Sequence, residues 1–342
     1  MLEPTRSNGG RPPKRKLLYI LGTGRCGSTV LEIALGSHSK IQATGEFHKT
    51  PFPNWAPESV CACGQTFNVC PFWSPIRERY REFVDFGRVQ QDQLRFEKYR
   101  SLPRTLLQRL FRTRELREHA RGLSELVGII AQSSGKEVVC ESSKNAVRGY
   151  LYGLSRSAQF DVYYVHLVRD GRGYIHSQAT IPDGAQSVNE KPARAAWELT
   201  LRWVVPNLLA MILCSRPRNR YLRVRYEDFV ERPAEILEQV GRFVGVDSTP
   251  TFQNARPGAT FAIPHLIGGN RLRFYSTVTL DTRFAGDALT AQNDRWSFWA
   301  FGGWMAFQYG YLRRRRGTSS SAAPEPESEA RTGQSSPPFR AS

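Results

Sequence analysis

The chain has 342 residues, 40% of them apolar and 11% aromatic, and can bury a large core as one big domain or two ordinary ones. No apolar h-region opens the sequence, which argues against export, and no apolar run reaches the ~20 residues of a membrane span. Of the net charge of +17, residues 1–16 carry five Arg/Lys against one Glu and residues 313–342 six Arg against three Glu, which leaves +10 for the middle. That surplus attracts anions without choosing among nucleotides, nucleic acids and acidic sugars, and a solvated basic surface explains most of it.

Residues 1–15, rich in Gly, Pro and Arg, read as a disordered basic tail, and residues 317–342, dominated by Ser, Pro, Glu and Ala, as a second. Between them, 16–316 shows no repeat and no linker, so a single domain is the economical reading. The first predicted strand, Leu17–Leu21, runs into Gly22-Thr23-Gly24-Arg25-Cys26-Gly27-Ser28-Thr29 and a helix near Thr29–Leu35. Glycines let a backbone turn tightly and present N–H groups, and a helix N-terminus adds positive potential, so an anion is favoured there. The spacing is that of a phosphate-binding P-loop, but Ser28-Thr29 stands where that motif has Lys-Ser/Thr. The only nearby cation is Arg25, inside the loop. The competing reading is a purely structural Gly-rich turn.

A second short strand, Ile41–Thr44, leads to Gly45-Glu46-Phe47-His48. Beyond it lie Cys61-Ala-Cys63-Gly and Cys70. Three cysteines can ligate zinc, yet a structural site takes four ligands and His48 is the only nearby candidate for the fourth. A redox-labile pair or a thiol-lined turn is favoured, and no metal is assigned. Six cysteines without an export signal argue for reduced thiols.

The segment from about 74 to 134 is long, Arg-rich and helical by pattern, and reads as an insertion suited to cap an acceptor. Glu137–Cys140 is the third strand, with Lys144 just beyond it and a helix near Ala146–Leu154. The fourth, Val162–Val168, holds His166 as a packed core histidine and ends in Arg169-Asp170-Gly171-Arg172. A helix follows from about Arg172 and carries Ser177. A guanidinium fork and a hydroxyl together suit a phosphate dianion; the alternative is a structural Arg169–Asp170 ion pair. Tyr221–Val224 is the fifth strand, and Pro233–Val244 a helix with Pro at its start. His265 orders the Gly-Gly-Asn-Arg loop that follows it. Trp296–Leu312 reads as a buried amphipathic helix, ahead of a membrane-surface role with Arg313–Arg316 as a basic stop. Strands alternating with helices predict an α/β fold, a central parallel sheet with helices on both faces, with ligands beyond the strands' carboxyl ends.

The motifs in this order resemble PAPS-dependent sulfotransferases of the bacterial type, from about Lys16 to Leu312. Gly24, Arg25, Cys26, Gly27, Ser28 and Thr29 are similar to the loop that grips the 5′-phosphosulfate, and Arg169 with Ser177 to the site for the 3′-phosphate. Arg225-Tyr226-Glu227-Asp228-Phe229 resembles the stretch whose tyrosine meets the adenine. Gly268-Gly269-Asn270-Arg271-Leu272-Arg273 looks like the late basic loop over the 3′-phosphate, which brings in Asn270, Arg271 and Arg273. Cys-x-Cys-Gly…Cys-Pro-Phe-Trp and Glu141-Ser-Ser-Lys144 look like features of bacterial members.

The resemblance implies a P-loop NTPase-like fold, PAPS as co-substrate, adenosine 3′,5′-bisphosphate as product, and no required metal. Arg25 is expected at the leaving oxygen, Lys144 at the migrating sulfuryl group, and Glu46 as general base with His48 its rival. The acceptor is unidentified, a hydroxyl or amine. A cytoplasmic location, no nucleic-acid partner and no transmembrane segment are expected; nothing in the residues speaks to oligomeric state. The rivals are a P-loop kinase for a small molecule, opposed by the missing lysine and the absent Walker-B aspartate, and a non-catalytic basic nucleic-acid module, opposed by phosphate loops at strand ends.

Overall fold

The computed structural model describes residues 14–46, 59–154, 160–180, 195–216, 218–280 and 292–312. Its centre is a five-stranded sheet of β1 (Arg15–Gly22), β2 (Ile41–Ala43), β3 (Val138–Lys144), β4 (Phe160–Val168) and β5 (Arg220–Arg225). All pairs are parallel and the order is β2-β3-β1-β4-β5. The chain leaves β1 toward β2 on one side and later crosses to β4 on the other, so a crevice opens at the carboxyl end of β1.

Strand periodicity divides β1 between two cores. Leu17, Tyr19 and Leu21 face one cluster, shared with α5 (Arg114–Ser134), α6 (Ala146–Leu154) and α8 (Ala196–Cys214). Leu18 and Ile20 face the other, with α1 (Ser28–Gly36), α9 (Tyr226–Glu231) and α10 (Pro233–Val244). Helices on both faces of a parallel sheet are the architecture expected from the strand–helix alternation. By length and composition α8 is apolar enough to cross a membrane, with a mean hydropathy of 1.2. Here it packs one side into the core, with Trp203, Ala210 and Cys214 fully buried, while Trp197, Val205 and Ile212 are exposed. His166 is also fully buried, between the Tyr221 hydroxyl (2.6 Å) and Asn207 Oδ1 (2.8 Å). Burial pushes its imidazole pKa down to about 4.

β1, β4 and β5 run beyond their expected bounds, β2 stops one residue short at Ala43, and β3 starts one residue late but runs on furthest. It continues past Cys140 through Glu141-Ser142-Ser143-Lys144, all buried. Glu141, Ser143 and Lys144 hide because they are partnered. Glu141 accepts from Arg148 Nε at 3.0 Å and from the Tyr152 hydroxyl at 2.5 Å.

The 74–134 segment is helical, as its pattern predicts: α2 (Trp73–Arg81), α3 (Phe86–Phe96), a 3-10 turn, α4 (Leu102–Leu110) and α5. It packs on a face of the sheet through α5 and is locked there by charge. Arg148 on α6, 1% exposed, bridges Glu141 and Glu97, and Glu97 also meets His119 on α5 at 2.9 Å.

Beyond β4 the chain adds α7 (Gly171–Thr180), α8, and later α11 (Thr249–Phe252), a small antiparallel pair β6 (Thr260–Ala262) and β7 (Thr277–Thr279), and α12 (Gln292–Gln308). The expectation of a buried helix over Trp296–Leu312 needs correction. Phe298, Met305, Ala306 and Tyr309 pack against α7 and α8, but Trp296, Phe301, Trp304 and Phe307 are exposed. The helix buries one side of an aromatic sequence that is apolar on both. Of the two expected tails, only Lys14 and Arg15 at the inner edge of the first fall within the described residues.

Candidate active site

The first anion loop forms as its glycines dictate. Gly27 sits at φ 91°, a left-handed conformation at the N-terminus of α1, and a Cβ there would fall 2.3 Å from the Tyr226 ring. Only glycine fits. Gly24 is exposed, with nothing within 4 Å of where its Cβ would be, so this side of the loop is open. Cys26 points inward, 1% exposed, so it can offer a ligand only its backbone. Ser28 and Thr29 are buried at the head of α1.

Arg25 and Lys144 are two of the three non-glycine residues with positive φ among the described residues, at 62° and 64°. Such strain persists where surrounding structure enforces it, and it clusters at functional sites. At the end of β3, Lys144 Nζ donates to Ser28 Oγ at 3.1 Å, to Glu46 Oε1 at 2.5 Å and to the Ser142 carbonyl at 3.0 Å. The motif's missing lysine is thereby replaced in space by one from the neighbouring strand. Glu46 is 2% exposed. Loop, cation and carboxylate, separate in sequence, meet at one point.

Glu46 is held there by backbone. Its N–H donates to the Ile267 carbonyl (2.7 Å), and Ile267 N–H donates to Thr44 O (2.8 Å), so residues 44–46 pair in parallel with the late loop. Gly45 at φ 92° permits this approach, because a Cβ would meet Ile267 O at 2.2 Å. Gly269 follows, its would-be Cβ 3.5 Å from Thr29 Oγ1 and 3.8 Å from Glu46 Oε1. The Gly-Gly-Asn-Arg stretch therefore borders the same crevice.

Arg169 connects the two expected anion sites. Its Nη1 donates to the Arg25 carbonyl at 2.9 Å, its guanidinium lies 5.1 Å from the centre of the Tyr226 ring, and its own carbonyl accepts from Trp203 Nε1 at 3.0 Å. Its Nε is buried with no acceptor among the described residues. The alternative Arg169–Asp170 ion pair does not form. Asp170 instead binds Arg172 at 2.6 Å and accepts from the Arg172 N–H, capping α7.

Tyr226, expected near adenine, packs its ring on Gly27. Ser177 is half-buried, two turns into α7, and among the described residues no hydrogen bond joins it to the first loop. Asn270 and Arg271 are exposed; Asn270 Oδ1 accepts from Leu272 N–H at 3.1 Å and starts a 3-10 turn, Arg271–Phe274. Arg273 reaches back to the Val60 carbonyl at 3.5 Å. His48, the rival base, lies outside the described residues.

Two site residues escaped the sequence. Glu32 on α1, fully buried, accepts from Thr44 N–H (2.8 Å) and Gly45 N–H (2.7 Å) and so fixes the backbone that presents Glu46. Burial pushes its carboxyl up to about 7, against the pull of those two N–H groups. Glu227 accepts from Asp170 N–H at 2.9 Å and from the Tyr311 hydroxyl at 2.8 Å, tying the end of β4 to α9. A buried glutamate one helical turn into α1 has no local signature, since its partners lie 12 and 13 residues away.

The profile described as "Sulfotransferase family" matches residues 18–250. Among solved structures, the sulfotransferase domain of the Synechococcus PCC 7002 olefin synthase is 17% identical, with TM-score 0.45, over 86% of this chain and 97% of that one. The sulfotransferase domain of the curacin biosynthetic pathway is 18% identical, with TM-score 0.46, over 87% and 98%. A Mycobacterium avium sulfotransferase is 13% identical, with TM-score 0.43, over 74% and 71%. No curated protein matches. The family match spans β1 through α10, both anion loops and Lys144, and on that ground the chain belongs to the sulfotransferase family.

Proposed function

We propose that the protein transfers a sulfuryl group from PAPS to a hydroxyl or amine, in line and without a metal. The observation that carries the reading is the meeting of Ser28, Lys144 and Glu46 through a single ammonium group. The residues present fit the donor: an open glycine loop at a helix N-terminus, the half-buried cation Arg25 on it, and the buried Nε donor of Arg169.

Glu46 takes the proton from the acceptor as the acceptor's oxygen or nitrogen bonds to sulfur. Before the acceptor arrives, Lys144 pairs with Glu46 at 2.5 Å; as the sulfuryl group comes within reach, Lys144 can turn to those oxygens and leave the carboxylate to act. The bond from sulfur to the 5′-phosphate oxygen breaks, and its electron pair leaves with adenosine 3′,5′-bisphosphate. Arg25 and the N–H groups of residues 24–29 neutralise that charge, while Arg169 and the 270–273 loop hold the other phosphate. Glu32 acts through Glu46's backbone and is a positioning residue.

The helical insertion, which separates β2 from β3, is the segment we assign to acceptor recognition. None of the six cysteines forms a disulfide, and a reducing compartment such as the cytoplasm is part of the proposal. The test incubates the protein with sulfur-labelled PAPS and a metabolite extract. The reading predicts a labelled acceptor that gains the mass of one sulfuryl group, together with adenosine 3′,5′-bisphosphate. Label that stays on PAPS with every acceptor class tried, amines and alcohols alike, contradicts it.

A further inference from the structure

Apart from the crevice, one cluster gathers ligand atoms as a metal would. Cys61, Cys63, Cys70 and His265 bring three Sγ atoms and one Nδ1 within 4.8 Å of one another. The separations that matter are 3.7 Å between Cys63 and Cys70 Sγ, 3.6 Å from Cys61 Sγ to His265 Nδ1, and 3.4 Å from Cys70 Sγ to the same nitrogen. Zinc bonds of about 2.3 Å to sulfur and 2.0–2.1 Å to nitrogen, set tetrahedrally, give edges of about 3.8 Å between sulfurs and about 3.6 Å from sulfur to nitrogen. The observed edges match those lengths.

We propose that these four side chains form a structural zinc site. The fourth ligand comes from His265, 204 positions beyond Cys61. The backbone is shaped for it. Gly64 N–H donates to Cys61 O (2.9 Å) and Cys61 N–H to Gln65 O (2.9 Å), a tight turn completed by Gly64 at φ 84°. Cys70 N–H donates to Thr66 O (2.9 Å), which returns the third sulfur to the first two. Phe72 stacks on the His265 ring at 5.6 Å and 21°, fixing its plane.

The competing readings explain less. A Cys63–Cys70 disulfide requires about 2.05 Å between sulfurs, far below the 3.7 Å seen. A thiol-lined turn allows S–H···N hydrogen bonds to the imidazole, but it does not require three sulfurs and that nitrogen to gather within 4.8 Å of one another. Three thiolates and one imidazole with no open position suit a closed zinc site and offer no place for a reacting ligand. Binding would release the three thiol protons to solvent and leave the site with one net negative charge. Arg273, whose guanidinium bonds the Val60 carbonyl, lies beside it to offset that charge.

Such a zinc would staple the 59–73 segment to the start of the late loop. Ala62 N–H already donates to Leu266 O at 3.2 Å, and Ile267 pairs with Gly45, next to Glu46. The metal site stands apart from the sulfuryl-transfer reading; only an effect of its loss on turnover rests on that reading.

The test is metal analysis of the full chain, expressed with zinc and purified under a thiol reductant without chelator. About one zinc per chain is expected. Cys61→Ser and His265→Ala should lose it; His265→Cys and, at a distant buried thiol, Cys214→Ser should keep it. Cobalt exchanged into the wild-type protein should show thiolate-to-metal charge transfer and intense tetrahedral d–d bands. Folded, reduced wild-type protein with no zinc and no cobalt uptake overturns the proposal, as does a Cys63–Cys70 disulfide found in its place. The wild-type arm needs no variant to fold, and metal content is read without any assay of PAPS.

Discussion

Lys144 is the residue on which the candidate site turns, because its ammonium touches both the anion loop and the carboxylate. Its partner Glu46 gives the first prediction: Glu46→Gln keeps the fold and the nucleotide affinity but lowers turnover by ~10²–10⁴, the usual contribution of a general base. Steady-state rates beside calorimetric nucleotide binding check this, and undiminished turnover moves the base elsewhere. Glu32 gives a second. Its carboxyl is raised from the ordinary 4.5 to about 7, so the folded chain holds a proton there that the unfolded chain releases. Stability from this group is therefore fully present below pH 4.5 and declines as pH rises to 7, by on the order of 3 kcal/mol. Glu32→Gln keeps an acceptor for the two N–H groups, removes that decline, and should raise the melting temperature at pH 8; a pH series of thermal melts decides. Arg25, Glu46, Lys144 and Arg169 were legible in the sequence as candidates, because each lies at a strand's end beside a glycine loop or in a recognisable motif. Glu32 and the role of His265 were not, since what defines them is a partner brought close only by folding.

Among the elements, the helical insertion and β3 depend on a buried charge network. Burial pushes Glu97 up, but the Arg148 guanidinium and the His119 hydrogen bond outweigh it and bring it to about 2. Glu141 shares the same arginine yet is raised, since burial prevails where the second oxygen meets only a phenol. Arg148→Met should destabilise the fold by roughly 3–5 kcal/mol by leaving two buried acids without their cation. Denaturant unfolding measures it, and a cost under about 1 kcal/mol would show that the network carries little stability. The stability held by Glu97 exists above pH 4.5 and is lost as pH falls toward 2, the opposite sense from Glu32. Strand positions were readable from short apolar runs, whereas the carboxyl half of β3, Glu-Ser-Ser-Lys, reads as a polar loop until its partners are known. The α12 helix misled for the converse reason. Its aromatics are spaced all round the helix, so composition predicted burial where packing reaches one side only.

At the scale of the whole molecule, the order β2-β3-β1-β4-β5 puts β1 at the centre, between the strand that ends in Lys144 and the strand that leads into Arg169. Parallel pairing then aims all three strand ends the same way, and one crevice receives the loop, both cations and Glu46. The parallel sheet and the strand-end position of the motifs followed from strand–helix alternation, whereas the strand order that centres β1 did not. The placement of Ser177 did not, because helical position fixes a residue's face only once the helix's own packing is known. A nucleotide with phosphates at both its 3′ and 5′ positions is the ligand such a crevice should prefer. Isothermal titration of the full chain with adenosine 3′,5′-bisphosphate, against ATP with magnesium, tests that preference. Binding of the bisphosphate over ATP, weakened by about 1.5–3 kcal/mol in Arg169→Ala, is the predicted result. Preference for magnesium–ATP, or bisphosphate affinity unchanged in Arg169→Ala, would contradict it.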